Sequence, residues 1–263
     1  MDEIKIVVAA HKKYQMPKDP MYLPVQVGAE GKEKIEGYQP DNVGENISSK
    51  NPYFCELTGL YWAWKNMDSD YIGLVHYRRH FTESQKVPKD EKSKFNILLK
   101  NDEIEKILKN TDVVLPQKRK YYIENLYDHY KHTMYIEPLD ETRKIIEEKY
   151  PEYLEEFDKL HKRTSAHMFN MLIMKKNILN DYCNWLFDIL FELEKRIDVS
   201  QYDAFHARFF GRVSELLLDV WINKNDINYK EVKVIDMQNV NWIKKGISFI
   251  NAKFFKKRYK ASF

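Results

Sequence analysis

The chain has 263 residues, 43% hydrophobic and 32% charged, enough to bury one sizeable core in an ordinary globular protein. A net charge of +3 is too small for a surface that grips nucleic acid throughout, so no nucleic-acid partner is expected. Two cysteines, Cys55 and Cys183, are too few for a disulfide framework or a structural zinc site.

Residues 4–10, IKIVVAA, are a continuous apolar run rich in β-branched residues and read as a buried parallel strand. The acidic start and immediate strand do not resemble a secretory leader, and no apolar run approaches the ~20 residues that span a bilayer. A cytoplasmic protein is expected. The next stretch carries Pro17, Pro20, Pro24, Gly28, Gly31, Gly37 and Pro40 and reads as a long loop of the kind that often serves binding. Asn51-Pro52 supplies helix-start chemistry, and ELTGLYWAWKN (56–66) sets Leu57, Leu60, Tyr61 and Trp64 on one helical stripe. YIGLV (71–75) is a second buried strand running into HYRRH, followed by a short helix over 102–109 and a third strand, DVVLP (112–116). This alternation predicts an α/β fold, a Rossmann-type, mostly parallel sheet with helices on both faces. Beyond it, helices fit 139–149, 152–162, 177–196 and 202–223, with strands at MFNMLIM (168–174) and VKVI (232–235). This half reads as a helical C-terminal annex. Without repeats or linkers, residues 1–240 are expected to form one domain and 241–263 a tail.

Segment 71–81, YIGLVHYRRHF, is the sharpest chemical feature. Open α/β sheets bind ligands at the carboxyl ends of their strands. Arginine suits a bidentate grip on phosphate oxygens, so Arg78 and Arg79 read as a diphosphate clamp. The alternative is a solvated strand end with its arginines paired to nearby carboxylates. Were the segment extended throughout, His76, Arg78 and His80 would share one face, opposite Tyr77, Arg79 and Phe81. His76 and His80 would then stand about 13 Å apart, too far for one ion. Asp68-Ser69-Asp70 has the D-x-D spacing of a metal motif but precedes the strand, at the wrong end of the sheet, and reads as a turn. HYKH (129–132) has no carboxylate or cysteine arranged with it in sequence and reads as surface. No metal site is expected and no cofactor is required.

No G-x-G-x-x-G, P-loop or G-x-S-x-G motif occurs. DNVGENIS (41–48) presents Asp41, Asn42, Gly44 and Asn46 either to a base or ribose or as a plain turn. Glu215 lies among Phe210, Val213 and Leu216 to Leu218, which requires an ion pair with Arg208, Arg212 or His206, or else a functional role. Asp203 is a second candidate base or a partner for a helix dipole. No acidic residue follows Asp236, and lysines alternate with Trp242, Phe249, Phe254 and Phe255. Residues 242–260 therefore suit peripheral contact with an anionic membrane, or packing on the core.

DNVGENISSKNPYFCELTGLYWAWKN (41–66) followed by DYIGLVHYRRHF (70–81) resembles bacterial capsular and exopolysaccharide biosynthesis proteins first catalogued as a domain of unknown function. AAHK (9–12), YLPVQVGA (22–29), HMFNMLIMKK (167–176) and the helix around Arg208 and Glu215 extend the resemblance over nearly the whole chain. It implies a GT-A-like glycosyltransferase that moves a sugar from a UDP-sugar, galactofuranose or galactose among the candidates, to a glycan or lipid-linked oligosaccharide acceptor. It further implies that Ala9, Ala10 and His11 lie beside the donor nucleotide; Asp41, Asn46, Asn51 and His76 are the other candidate donor-binding residues. HYRR would occupy the D-x-D place, so that Arg78 and Arg79 neutralise the leaving diphosphate without a cation. His167, Asn170 and Met171 would approach donor sugar or acceptor, with Glu215 as base, although Leu216 departs from the family pattern beside it. Two other functions compete. A sugar-nucleotide nucleotidyltransferase predicts a glycine-rich loop and a metal-holding aspartate, neither of which is evident. A non-enzymatic membrane or nucleic-acid binder acting through the tail leaves HYRR unexplained.

Overall fold

The computed structural model describes residues 2–238. In chain order the strands are β1 (Ile4–Ala10), β2 (Tyr22–Gln26), β3 (Gln39–Pro40), β4 (Tyr71–His76), β5 (Arg79–Thr82), β6 (Val113–Pro116), β7 (Arg119–Lys120), β8 (Ser165–Ala166), β9 (Leu172–Lys175) and β10 (Lys230–Asp236). The α-helices are α1 (Asn51–Phe54), α2 (Leu57–Asn66), α3 (Glu91–Lys94), α4 (Asn101–Leu108), α5 (Leu126–Thr133), α6 (Glu137–Lys149), α7 (Leu154–Asp158), α8 (Lys176–Arg196) and α9 (Phe209–Lys224).

β1 lies between β2 and β4, parallel to both. Val7 and Ala9 enter one hydrophobic cluster and Ile6, Val8 and Ala10 the other, so both faces of the strand are covered. That is why its sequence is apolar throughout rather than alternating. β2 falls inside the stretch read as a loop. Its Pro24 is tolerated because β3 pairs only with Val25 and Gln26, leaving the outer edge of Pro24 without a ladder. α2 crosses this part of the sheet at close range: a Cβ on Gly59 would stand 2.8 Å from Val27. Pro52 and Pro138 occupy the first turns of α1 and α6, where a missing N–H removes no helical bond.

The expected mostly parallel sheet is in fact mixed. β1–β2, β1–β4, β2–β3 and β6–β10 pair in parallel, whereas β4–β5, β4–β9, β5–β10 and β6–β9 are antiparallel. The fully extended reading of 71–81 is also corrected. The chain reverses at Tyr77-Arg78, and His76 pairs with Arg79 across a two-residue turn. A connection that short permits only an antiparallel return. β9 starts at Leu172 rather than at 168 because Phe169 and Asn170 have φ of 77° and 52°, outside the strand region.

Helices lie on both faces: Ile104 of α4 packs into one cluster, while α2, α8 and α9 pack into the other. The helical half is not an annex, since α5 to α9 share that larger cluster with Val7, Ala9, Ile72 and Leu74 of the sheet, and β10 returns to the sheet after them. The helix read over 202–223 begins only at Phe209, and 152–162 is a short α7 flanked by 3-10 turns. The tail at 241–263 and its membrane-contact stretch 242–260 lie outside the described residues. Among the described residues, no helix is long and apolar enough to cross a membrane.

Candidate active site

β1 and β4 run parallel with Ala9 opposite His76, so both end on the same side of the sheet. There, between the β4–β5 turn, the α1–α2 junction, α5 and the start of α9, lies a cavity of about 230 Å³. Arg78, Arg79, Arg119, Arg208 and Arg212 line it, against two carboxylates, Glu56 and Glu215.

The arginines are not equally engaged. Arg212 holds Glu215 at 3.3 Å, and Arg79 reaches Asp236 at 3.7 Å while lying over the Phe169 ring, 4.5 Å from its centroid. Arg78 contacts Gln238, at 3.5 Å, and the Tyr77 face; Arg119 lies over Tyr121; Arg208 donates to the Cys55 sulfur at 2.9 Å. Among the described residues, none of these three has a carboxylate partner. Burial, and then Arg78 among other neighbours, lowers the pKa of Arg79 from its ordinary value. The cavity is therefore a concentrated positive field that an anion would relieve.

One strained dipeptide organises the opposite wall. Phe169 donates its N–H to Glu215 at 3.2 Å, and its carbonyl meets His76 Nε2 at 2.5 Å. Asn170 donates its side-chain amide to Glu56 Oε1 at 2.7 Å and to the Gly211 carbonyl at 3.1 Å. Cys55, at φ 55°, adds a third left-handed non-glycine residue beside the cavity. Such conformations cost of order 1–3 kcal/mol each and persist where the surroundings fix them, commonly at functional sites. Burial, and after it the negative charge of Glu56, pushes the Cys55 thiol up to about 11, so it is no ready nucleophile.

Among the described residues, no three His, Cys, Asp or Glu side chains are arranged to hold a metal ion. Asp68 pairs with Lys176, and Asp70 accepts the Glu3 N–H at 2.7 Å, both at the opposite end of β4 from the cavity. The surface reading of HYKH is corrected. His129 and His132 hold the two oxygens of Glu124 at 2.7 and 2.8 Å, and His129 lines the cavity.

Residues 5–226 match a family model described as a domain of unknown function (DUF4422). The chain belongs to this family. The resemblance carried by residues 41–66 and 70–81 thus holds. A solved structure titled as the apo form of the bifunctional glycosyltransferase WbbM is similar to this DUF4422 fold, with a TM-score of 0.82 and 30% sequence identity. The match covers 90% of this chain and 46% of that one, so this chain spans less than half the length of that protein. No curated protein matches the chain.

In this DUF4422 member, His76, Arg78, Arg79 and Glu215 all line the cavity. The other expected residues do not line it. Ala9 and Ala10 are buried in the sheet, and His11 stands beside the β4–β5 turn, edge-on to Tyr77 at 5.3 Å. Asp41 is fully buried, accepting from the N–H groups of Gly28 and Ala29 at 2.8 and 3.0 Å and from the hydroxyls of Ser48 and Thr58. Asn46 bonds within its own turn at 2.8 Å, and Asn51 ties off the α1 end through the Cys55 carbonyl at 2.7 Å. All three side chains are thus engaged by neighbouring residues of the chain itself. Asp203 holds His206 at 2.6 Å in the turn before α9. His167 is buried between Asp219 and Glu231, and Met171 is core. Asn170 acts one step back, through Glu56.

Glu56, Arg119, Phe169 and His129 also line the cavity, and the sequence assigns none of them to a site. Arg208, Arg212 and Glu215 carried a readable signal, since spacings of four and three residues put them on one helical face. Glu56 carried none beyond its place in the CELTGL run.

Proposed function

We propose that the protein is a metal-independent, GT-A-like glycosyltransferase of surface-polysaccharide synthesis, with residues 1–240 as its catalytic unit. In this reading it transfers a sugar from a UDP-sugar, galactofuranose or galactose foremost, to a glycan or lipid-linked acceptor at the cytoplasmic face of the membrane. The observation that carries the reading is the convergence of Arg78, Arg119 and Arg208, all without a carboxylate partner among the described residues, at the carboxyl end of β4. The likeness to a bifunctional glycosyltransferase supports the reaction class.

The physics is that of a leaving group. As the bond from the anomeric carbon to the diphosphate lengthens, negative charge grows on the phosphate oxygens. Guanidinium groups already fixed around them stabilise that charge more in the transition state than in the ground state. A cavity carboxylate receives the acceptor's hydroxyl proton. A nucleotidyltransferase, by contrast, places a metal-holding aspartate at this end of the sheet.

The test is a thermal-shift panel of UDP-, GDP-, CMP- and dTDP-sugars with and without Mn²⁺. A donor at about 100 times its Kd stabilises the fold by about 2.7 kcal/mol. A UDP-sugar is expected to raise Tm without metal, and Arg78→Ala and Arg119→Ala to lower its affinity at least tenfold. Strict dependence on Mn²⁺ overturns the metal-free clamp. Indifference to all four donor classes overturns the transferase.

A further inference from the structure

The two cavity carboxylates are held in different ways. Glu215 has both oxygens engaged: Oε1 accepts from Phe169 N–H at 3.2 Å and Arg212 Nη1 at 3.4 Å, and Oε2 from the same guanidinium nitrogen at 3.3 Å. Glu56 has one oxygen anchored, Oε1, by the Asn170 amide at 2.7 Å. Its Oε2 accepts from no other residue among the described residues, and the side chain lines the cavity. The anchor is costly. Asn170 is 2% exposed, sits at φ 52°, and keeps its own Oδ1 without a partner in order to present the amide to Glu56 and Gly211. The residue before Glu56, Cys55, is left-handed as well. The chain thus accepts strain on both sides to aim a carboxylate oxygen that no other described residue holds into an arginine-rich cavity.

We propose that Glu56, not Glu215, is the general base. The assignment rests on the reading of the cavity as a sugar-nucleotide-dependent transferase site. The acceptor's hydroxyl oxygen bonds to the anomeric carbon as the bond from that carbon to the diphosphate oxygen breaks. The electron pair leaves with the diphosphate, and the hydroxyl proton passes to Glu56 Oε2. Glu215 has another task, fixing Arg212 and the Phe169 backbone.

Burial opposes the ionisation of Glu56, but His76 of β4, the Asn170 amide, the residue's own backbone N–H and Arg212 of α9 outweigh it and hold the carboxyl below its usual range. The group is therefore held in its ionised form by the protein alone. A diphosphate on the arginines offsets their pull and raises the proton affinity of Glu56 when the donor is bound.

The test compares Glu56→Gln and Glu215→Gln in the full chain. UDP affinity is measured calorimetrically. UDP release is followed from UDP-galactofuranose and UDP-galactose, with octyl galactoside or water as acceptor. Glu56→Gln is expected to bind UDP within about threefold of the unmodified protein and to release UDP at least a hundredfold more slowly. Glu56→Asp, which keeps the charge, recovers part of the rate and shows that the fold is intact. Glu56→Gln within fivefold of the normal rate overturns the assignment, as does a rate loss matched by an equal loss of UDP affinity. If the unmodified protein binds neither UDP nor any sugar nucleotide, the transferase reading itself fails, an outcome distinct from either of these.

Discussion

His76 and His80 are four residues apart and end in opposite environments, because the chain turns between them. His76 borders the cavity and meets the Phe169 carbonyl, whereas His80 is fully buried against the rings of Tyr22 and Phe95 with neither nitrogen hydrogen-bonded. Burial, and then His76, lowers the His80 pKa from 6.5 to about 3. Between these values the unfolded chain binds a proton that the folded chain refuses, so stability falls as pH drops through that window, by up to about 1.4 kcal/mol per pH unit. His80→Leu removes the effect: in urea titrations at about pH 6 and about pH 4.5 the variant should lose less stability than the unmodified protein, and equal losses would refute this. That Arg78 and Arg79 stand at a strand end beside a pocket was legible in sequence, because residue type and the apolar run before them mark the place; that Arg79 pairs with Asp236 was not. Glu56 was not, because its role depends on a hydrogen bond from Asn170, 114 residues away.

Elements were legible where one periodicity held over many residues. β1, α2, α6 and α8 follow directly from apolar runs or stripes. β2 was hidden by its proline, and the β4–β5 hairpin by charged residues that carry no turn glycine. The loop at 41–48 shows how residue type misleads: Asp41 resembles a ribose ligand but is the knot that joins Gly28 and Ala29 to Ser48 and the α2 residue Thr58. Replacing a buried, multiply bonded carboxylate leaves its donors orphaned, so Asp41→Ala should cost about 3 kcal/mol in urea unfolding. A loss below about 1 kcal/mol would return Asp41 to the pool of ligand candidates. Gly28 belongs to the same knot. At φ +64°, and with a Cβ position 2.4 Å from Asn51 Oδ1, Gly28→Ala should lower Tm by several degrees.

At the scale of the whole molecule, a net charge of +3 conceals a cavity where five arginines face two carboxylates. The basic, aromatic residues 242–260 carry a separate proposal, peripheral contact with an anionic membrane. Removing 241–263 should abolish co-sedimentation with anionic lipid vesicles and leave the UDP-sugar thermal shift unchanged; retained sedimentation would refute it. By itself the sequence determined the α/β class and the arginine pair at a strand end, because these depend on local residue type and periodicity, and it determined the family through the resemblance of whole segments. Tertiary structure decided the rest: that the sheet is mixed, that Asp41, Asn46 and Asn51 have partners within the chain, and that Glu215 is held on both oxygens while another residue holds Glu56 on one. Each of those depends on which distant groups satisfy a given donor or acceptor, and no local pattern encodes that pairing.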